Sequence, residues 1–183
     1  MSKTTTKYVY QLTDFLHQVM NPKTKEFVET DNLLSFQNPD VEAGIQELQG
    51  FSGLMGTLEI TDWANIGALE FGLTYAGLPD DALLLMNPDR QEHKLYWAEA
   101  YTDKSGEVNW NSYSIYFTGV LKNIPGGEGK KGENAERQFK YAVKTYKLTR
   151  NGEVLFDYDP ANDVIKFGTR NFGAEIKSAV LGE

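Results

Sequence analysis

The feature that most constrains this chain is a strict alternation of apolar and polar side chains, which recurs along its 183 residues. In the segment GTLEITDWANIGALEFGLTYAGL, Leu58 and Ile60 alternate with polar neighbours, and so do Leu69 and Phe71. Alternation with period two is typical of β-strands, because successive side chains point to opposite faces of a sheet. The apolar positions change from even to odd numbers across DWANIG, which requires a bulge or bend, and Gly67 offers a permissive backbone there.

Two β-hairpins are predicted in the second half of the chain. KLYWAEAYT and EVNWNSYSIYFTGVLKN flank the turn sequence DKSG, and RQFKYAVKTYKLTR and EVLFDYD flank Asn151-Gly152. Asn-Gly is the strongest two-residue hairpin signal, because both residues tolerate a positive φ. Between Val143 and Tyr146 the apolar positions again change parity, so a second bulge is expected. DVIKFG predicts a last short strand.

One of these strands carries aromatic side chains on both of its faces. Tyr113, Ile115 and Phe117 share one face by parity, whereas Trp110 and Tyr116 share the other. A strand of this kind is expected to need cover on both sides. A lone chain of this length rarely supplies that much cover, so neighbouring copies are the expected source.

Helical elements are predicted at four places. Helical spacing of Leu12, Phe15, Leu16 and Val19 predicts a helix over residues 8–20. The mixed, polar segment 21–50 is expected to be irregular, with one or two helical turns within 40–48. GLPDDALLLMN predicts a loop and a short helix, and AEIKSAVLG predicts a closing helix that ends at Gly182.

Composition places the chain among globular, β-rich proteins of one domain, residues 1–183. Aromatic residues make up 13% of it, and there is no cysteine, so disulfides and thiolate metal sites are excluded. The amino terminus lacks the apolar core of a signal peptide, and no run of about 18 apolar residues predicts a membrane span. We therefore expect a soluble protein without a membrane span.

Charge is spread unevenly along the chain. The formal net charge is −8, yet residues 130–150 hold seven basic residues against Glu133 and Glu136, so this segment is +5 and the remainder −13. An overall acidic molecule disfavours general nucleic-acid binding. The basic segment is either a solvated strand face or a surface complementary to another copy or a partner.

Three features that could carry chemistry do not fit their mechanisms. GEGKKG at 127–132 matches the dinucleotide fingerprint in letters, but a strand pattern follows it instead of the helix that would hold the pyrophosphate. DYDPAND lacks the glycine that an EF-hand loop needs, so a turn before a strand is the better interpretation. His17 and His93 are far apart in sequence and have no acidic or nucleophilic pattern beside them. No enzymatic activity and no cofactor are therefore predicted.

The order of these elements resembles the major tail tube proteins of P2-type contractile-tailed phages. The resemblance rests on Ala68-Leu69-Glu70, on Pro125-Gly126-Gly127-Glu128, on TYKLTRNGE at 145–153 and on the terminal helix, and it covers about residues 54–181. The first fifty residues depart from the family pattern. Residues 54–181 would thus form a β core with a carboxy-terminal helix, preceded by a divergent region, 1–50.

The resemblance implies a mainly β fold with short helices, a β-sandwich or half-barrel that closes into a ring between subunits. Hexameric rings would stack into a tail tube that conducts DNA inside a contractile sheath. The implied partners are further copies of the chain and the sheath, tape measure, baseplate and tail terminator proteins. The implied location is the virion, assembled in the bacterial host cytoplasm.

Two sets of charged residues are candidates for roles in such a tube. Acids at outward-alternating strand positions could face the lumen, and part of the basic segment could face a neighbouring ring or the sheath. The candidate lumen acids are Glu59, Glu70 and Glu99, and the candidate basic residues are Lys130, Lys131, Arg137, Lys140, Lys144 and Lys147.

Two alternatives remain open at the level of sequence. The tube could belong to a tailocin or a bacterial contractile injection system, which carries no genome. Alternatively, the chain could be a monomeric β-barrel that binds a small ligand inside an apolar pocket.

Overall fold

The computed structural model describes residues 10–48, 58–102, 105–126 and 135–182, and antiparallel strands dominate them. No helix in these ranges is long and apolar enough to cross a membrane. The strands are β1 (Tyr10–Met20), β2 (Phe27–Thr30), β3 (Leu33–Gln37), β4 (Ala43–Leu48), β5 (Leu58–Ile66), β6 (Glu70–Ala76), β7 (Gln91–Thr102), β8 (Val108–Leu121), β9 (Glu136–Arg150), β10 (Glu153–Asp159), β11 (Val164–Phe167) and β12 (Arg170–Asn171). The helices are α1 (Ala82–Leu85) and α2 (Phe172–Leu181).

The longest strand, β9, joins two half-sheets. Its amino-terminal half pairs with β6, which pairs with β3, and its carboxy-terminal half pairs with β10, which continues to β11 and β12. On its other side β9 pairs with β8, and the order continues through β7 and β1 to β2. The sheet curls into a half-barrel, so that β3 lies over β1, with Phe36 against Phe15 at 5.7 Å between ring centroids. β4 and β5 form a separate two-stranded sheet.

The predicted helix over 8–20 is wrong, because these residues form β1 from Tyr10 onward. A bulge between Leu12 and Asp14 shifts the register against β7. Leu12 and Phe15 therefore lie on the same face although they are three residues apart, and Val19 follows on that face with strand spacing. Leu16 faces the other side. Together these positions reproduce the spacing of an amphipathic helix without forming one.

The prediction of an irregular segment over 21–50 is also wrong. Strands β2, β3 and β4 lie there, and residues 43–48 form a strand where helical turns were expected. In the described ranges each of these strands pairs with only one neighbour. Edge strands keep one side in solvent and tolerate polar residues, so they lack the apolar alternation that marks central strands.

The hairpin and bulge predictions are confirmed. β7 and β8 pair from Thr102↔Val108 onward, and Asn151 and Gly152 have φ values of 49° and 83°, as a tight two-residue turn requires. Against β8, the register of β9 skips Lys144, which is the bulged residue. Near DWANIG, the chain leaves the small β4–β5 sheet and enters the large sheet as β6, so the parity change marks a bend between two sheets.

The core fills the concave side of the half-barrel with aromatic side chains. Phe71 of β6 stacks on Phe117 of β8 at 4.3 Å between ring centroids. Leu85 of α1 is fully buried, and its carbonyl accepts a hydrogen bond from the hydroxyl of Tyr141 at 3.2 Å. The short helix therefore packs onto this core, which buried and largely aromatic side chains of the described strands fill.

The position of the closing helix, α2, depends on Gly173. α2 ends at Gly182, as predicted, and Asn171 caps its first turn by accepting a hydrogen bond from the amide of Ala174 at 3.4 Å. Gly173 is buried against the 3₁₀ turn before β11, where a Cβ atom would lie 2.1 Å from the carbonyl oxygen of Asp163. Because that neighbour is backbone, only glycine allows α2 to dock in this position.

We expect Gly173→Ala to destabilise the protein by about 1–3 kcal/mol, because the helix must move away from the turn. The melting temperature should fall by about 2–4 °C per kcal/mol in a domain of this size. Gly67→Ala is the matched control, since a Cβ atom there meets nothing within 4 Å. Equal melting temperatures for the two variants would contradict this account of α2.

Candidate functional site

The cover expected on both faces of β8 is incomplete on the convex side, where Thr118 is buried but Trp110 is not. Ile115 and Phe117 are buried on the concave side, whereas Trp110 on the convex side is 56% exposed. Tyr96 of β7 and Val108 lie exposed on the same convex side. A single subunit therefore leaves part of its large sheet uncovered.

Several strand edges are also unpaired. In the described part of the chain, β2, β3 and β12 each have one hydrogen-bonded neighbour, and β4 and β5 pair only with each other. The β4–β5 hairpin exposes Ile45 (64%) and Ile60. Free edges with exposed apolar side chains are hazards for aggregation unless another chain pairs with them or covers them.

A third exposed apolar surface belongs to α2. Ile176, Val180 and Leu181 project from its last turns, and Val180 is 79% exposed. Between this helix, β5 and β11 lies an open groove of about 420 Å³, whose walls include Ala64 and Ile165. The helix thus covers the small sheet incompletely and presents apolar surface to the outside.

The three candidate lumen acids do not lie together. Glu59 is exposed on the separate β4–β5 sheet, where it stands opposite Glu47. Glu70 lies on β6 and pairs with Lys122 and, at 3.6 Å, with Lys140. The hydrogen bond from Lys122 is the main reason why the pKa of Glu70 lies below its ordinary value.

Glu99 occupies a third environment, on β7 between Leu12 of β1 and Asn111 of β8. It accepts a hydrogen bond from the indole N–H of Trp97 at 3.3 Å. The pKa of the Tyr113 phenol is raised mainly by burial and, to a smaller extent, by the charge of Glu99. A lumen role for the three acids remains a prediction, and the ion-paired Glu70 would contribute least to a negative surface.

The candidate basic residues are partly neutralised within the subunit. Lys140 pairs with Glu70, and Lys147 pairs with Asp157 at 3.2 Å. Arg137 is half-buried at the start of β9, opposite Tyr75. Lys144, the bulged residue, is exposed and takes part in no ion pair with a described residue. Lys130 and Lys131, like the whole GEGKKG motif, lie outside the described residues.

The structure brings together two histidines that sequence reasoning left apart. His17 of β1 and His93 of β7 are buried, and His17 Nε2 lies 3.1 Å from His93 Nδ1, so one nitrogen donates and the other accepts. His17 Nδ1 lies 2.8 Å from both Thr30 Oγ1 and the Tyr75 hydroxyl. This cluster joins β1, β2, β6 and β7. Seventy-six residues separate the pair, and no local pattern signals it.

The surroundings of the histidine pair are uncharged. Its contacts are Thr30, Tyr75, Phe117 and Tyr141, and the ring of Phe117 stacks on His93 at 4.5 Å. Burial lowers the pKa of His17 to about 3 and also lowers the pKa of His93. Both histidines are therefore neutral in the folded state over a wide range of pH, and they tie the β1–β2 hairpin to the sheet.

Burial of neutral histidines makes stability depend on pH with a definite sign. The unfolded chain binds protons near pH 6.5, whereas folded His17 binds one only near pH 3. The stabilisation is complete above pH 6.5 and is lost as the pH falls toward 3. We expect each histidine to add about 1.4 kcal/mol per pH unit to the fall in the free energy of unfolding within that window.

The measurement is urea unfolding of wild type and His93→Phe between pH 7.5 and 4.5. Phenylalanine keeps the ring stacking but does not titrate, so the variant should lose about half of the histidine contribution to the slope. Carboxylates contribute equally to both proteins, so the difference isolates the histidines. Identical slopes would show that the pair does not govern acid stability.

The described histidines, aspartates and glutamates form no cluster of three or more that could hold a metal ion. The features that stand out are instead uncovered faces and free edges. What this arrangement can do is associate with other chains through strand pairing and apolar contact.

Comparisons with known proteins place the chain in a family. No curated protein sequence matches it. Solved structures with a similar fold include the sheath–tube complex of the PVC extracellular contractile injection system in its extended state (10% identity, TM-score 0.46, 74% of this chain and 87% of that chain). The sheath/tube terminator of the same system is also similar (10%, 0.45, 74% and 92%), as is Hcp1 from Salmonella typhimurium (12%, 0.41, 84% and 100%).

The family comparison extends over more of the sequence than the resemblance noted from its motifs. A family model described as phage tail tube protein FII matches residues 29–181, which includes β3, β4 and the second half of β2 as well as the β core. The match spans most of the chain, and the chain therefore belongs to the phage tail tube protein FII family.

Proposed function

We propose that this chain is the subunit of hexameric rings that stack into the inner tube of a contractile tail and form a conduit for DNA. The observation that carries the proposal is the incompleteness of the single subunit, which joins a well-packed concave core to free strand edges and a bare convex face. Membership of the tail tube family supports the tube as the assembly that completes it.

Two kinds of interface follow from this proposal. Strand edges such as β2 and β12 pair between neighbours around the ring, and closure of the ring removes every edge. A second, head-to-tail interface along the axis extends the rings into a tube. Obligate interfaces of this kind bury about 2,000 Å² or more, and exposed apolar residues such as Trp110 and Val180 are suited to them.

The charge of the subunit suits a channel through which DNA must pass without adhering. Six copies at −8 each would carry −48 formal charges. Acids that face the lumen repel phosphates within the screening distance of about 8 Å, so DNA slides instead of binding. Among the candidates, Glu59 and Glu99 are better placed for this role than Glu70, whose charge is balanced by Lys122 and Lys140.

The proposed partners are the sheath around the tube, the tape measure inside it, and the baseplate and terminator at its ends. The subunit is assembled in the host cytoplasm and resides in the virion, and residues 1–183 act as one tail tube domain. A tube that carries no genome, as in a tailocin or injection system, would differ in one measurable respect. Purified particles would contain no nuclease-protected DNA.

We expect purified protein at high concentration to form rings or tubes visible by electron microscopy. Trp110→Lys should raise the concentration needed for assembly about tenfold or more, because a large exposed aromatic side chain is lost from an interface. Asp80→Lys, in the exposed loop before α1, is the control, because no interface is assigned to that loop. A wild type that stays monomeric at every concentration would refute the proposal.

We also expect the proposed contacts of the basic segment to make the tube sensitive to salt. Raising ionic strength from about 0.1 M to 1 M shortens the screening length from about 10 Å to 3 Å, which weakens contacts between surface charges of different copies. Light scattering of preformed tubes should therefore fall at high salt. Tubes that persist unchanged at 1 M salt would indicate that apolar contacts alone hold the rings together.

A further inference from the structure

The bulge in β9 creates a small polar pocket on the convex side of the sheet. Between Thr118↔Thr145 and Gly119↔Val143 the register skips one residue, so Lys144 is unpaired and its side chain points away from the regular pleat. Beside it lies a cavity of about 360 Å³. Its lining comprises Arg90, Val120, Lys144, Thr145, Asp159 and the 3₁₀ turn Pro160–Asn162.

On the side of the pocket near β8, two hydrogen bonds fix the guanidinium group of Arg90. Arg90 donates from Nε at 3.2 Å and from Nη2 at 2.9 Å to the hydroxyl oxygen of Thr118. That oxygen also lies 2.8 Å from the hydroxyl of Thr145. A guanidinium carries five N–H groups, and Thr118 takes up two of them. Arg90 is thereby oriented and keeps donors for a further group.

On the opposite side of the pocket, one carboxylate oxygen of Asp159 receives no hydrogen bond. Asp159 Oδ2 accepts a hydrogen bond from the Asn162 amide at 2.7 Å, but Asp159 Oδ1 is buried and has no hydrogen-bond partner among the described residues. Lys144 pairs with no described carboxylate, although both residues line the same cavity. Buried oxygens without partners are rare in folded proteins and mark a missing group.

The pocket therefore fits a ligand that can both donate and accept hydrogen bonds. A free phosphate or carboxylate would satisfy Arg90 and Lys144 but would be repelled by Asp159. A cation would satisfy Asp159 but would be repelled by the two basic side chains. A peptide or side-chain amide group carries an N–H for Asp159 and a carbonyl oxygen for the basic residues. Val120, Pro160 and Ala161 supply apolar walls for the carbon atoms of such a segment.

We propose that this pocket, here named the β9 bulge pocket, binds a short peptide segment of a second copy of this chain. The inference rests on the proposed function, since it concerns a contact between subunits of the tube. Two basic residues and one acid give the pocket a net positive charge, and the sequence outside residues 130–150 carries −13. Acidic surface of another copy therefore complements the pocket locally, although the copies repel each other as whole molecules. The bulge thereby serves as a recognition feature rather than as an irregularity of the sheet.

The test compares assembly of Lys144→Ala, Asp159→Ala and wild type by sedimentation at increasing concentration. Each variant should raise the concentration needed for assembly about tenfold, the effect expected from losing a charge-assisted hydrogen bond. For Lys144→Ala, the melting temperature measured at dilute, monomeric concentration should stay unchanged, whereas Asp159→Ala also loses the hydrogen bond from the Asn162 amide and should melt slightly lower. Asp80→Ala is the matched control, because this exposed acid lies in the loop before α1 and does not line the pocket.

The outcomes separate this inference from the proposed function. If wild type assembles and both variants assemble at the same concentration, the inference is overturned and the tube proposal stands. If the variants lower the melting temperature of the monomer and the swap Lys144→Asp with Asp159→Lys restores assembly, an internal ion pair explains the residues and the inference is overturned. A wild type that never assembles would overturn both.

Discussion

The hydrogen bonding of one long strand determines how the rest of this protein is arranged. β9 runs for fifteen residues and exchanges partners on one side, from β6 to β10, while it keeps β8 on the other. This change of partner is what lets one sheet curl over an aromatic core and still extend toward β12. The bulge at Lys144 adds one residue between the two halves, so that the apolar side chains of both halves face the same core.

The half-barrel geometry also determines which surfaces of the chain remain uncovered. A half-barrel has one filled concave side, and its convex side and its last strands have no partners within the chain. Here the concave side is closed by Leu85 of α1 and by the histidine cluster, which holds the β1–β2 hairpin against β7. The chain consequently holds one continuous core of its own, and its convex face and edges are available for association.

Sequence reasoning succeeded where one strong local signal determines the structure. The Asn151-Gly152 turn, the β7–β8 hairpin and both parity changes were predicted because each depends on near neighbours. It failed for β1, whose bulge imitates helical spacing, and for the edge strands of the first fifty residues, which have little apolar pattern to read. The histidine pair and the β9 bulge pocket depend on contacts between distant strands, so no local pattern could indicate them.

If copies of this chain associate as proposed, their contacts must overcome the repulsion between molecules that each carry a formal charge of −8. Two of the five basic side chains of β9, Lys140 and Lys147, form ion pairs within the chain. Repulsion between copies would then dominate if contacts depended on net charge alone. Association must instead rely on short-range interactions, namely strand pairing, apolar cover for residues such as Trp110, and pockets whose donors and acceptors are complementary to a neighbour. Long-range repulsion limits the encounters, and local complementarity determines which of them are retained.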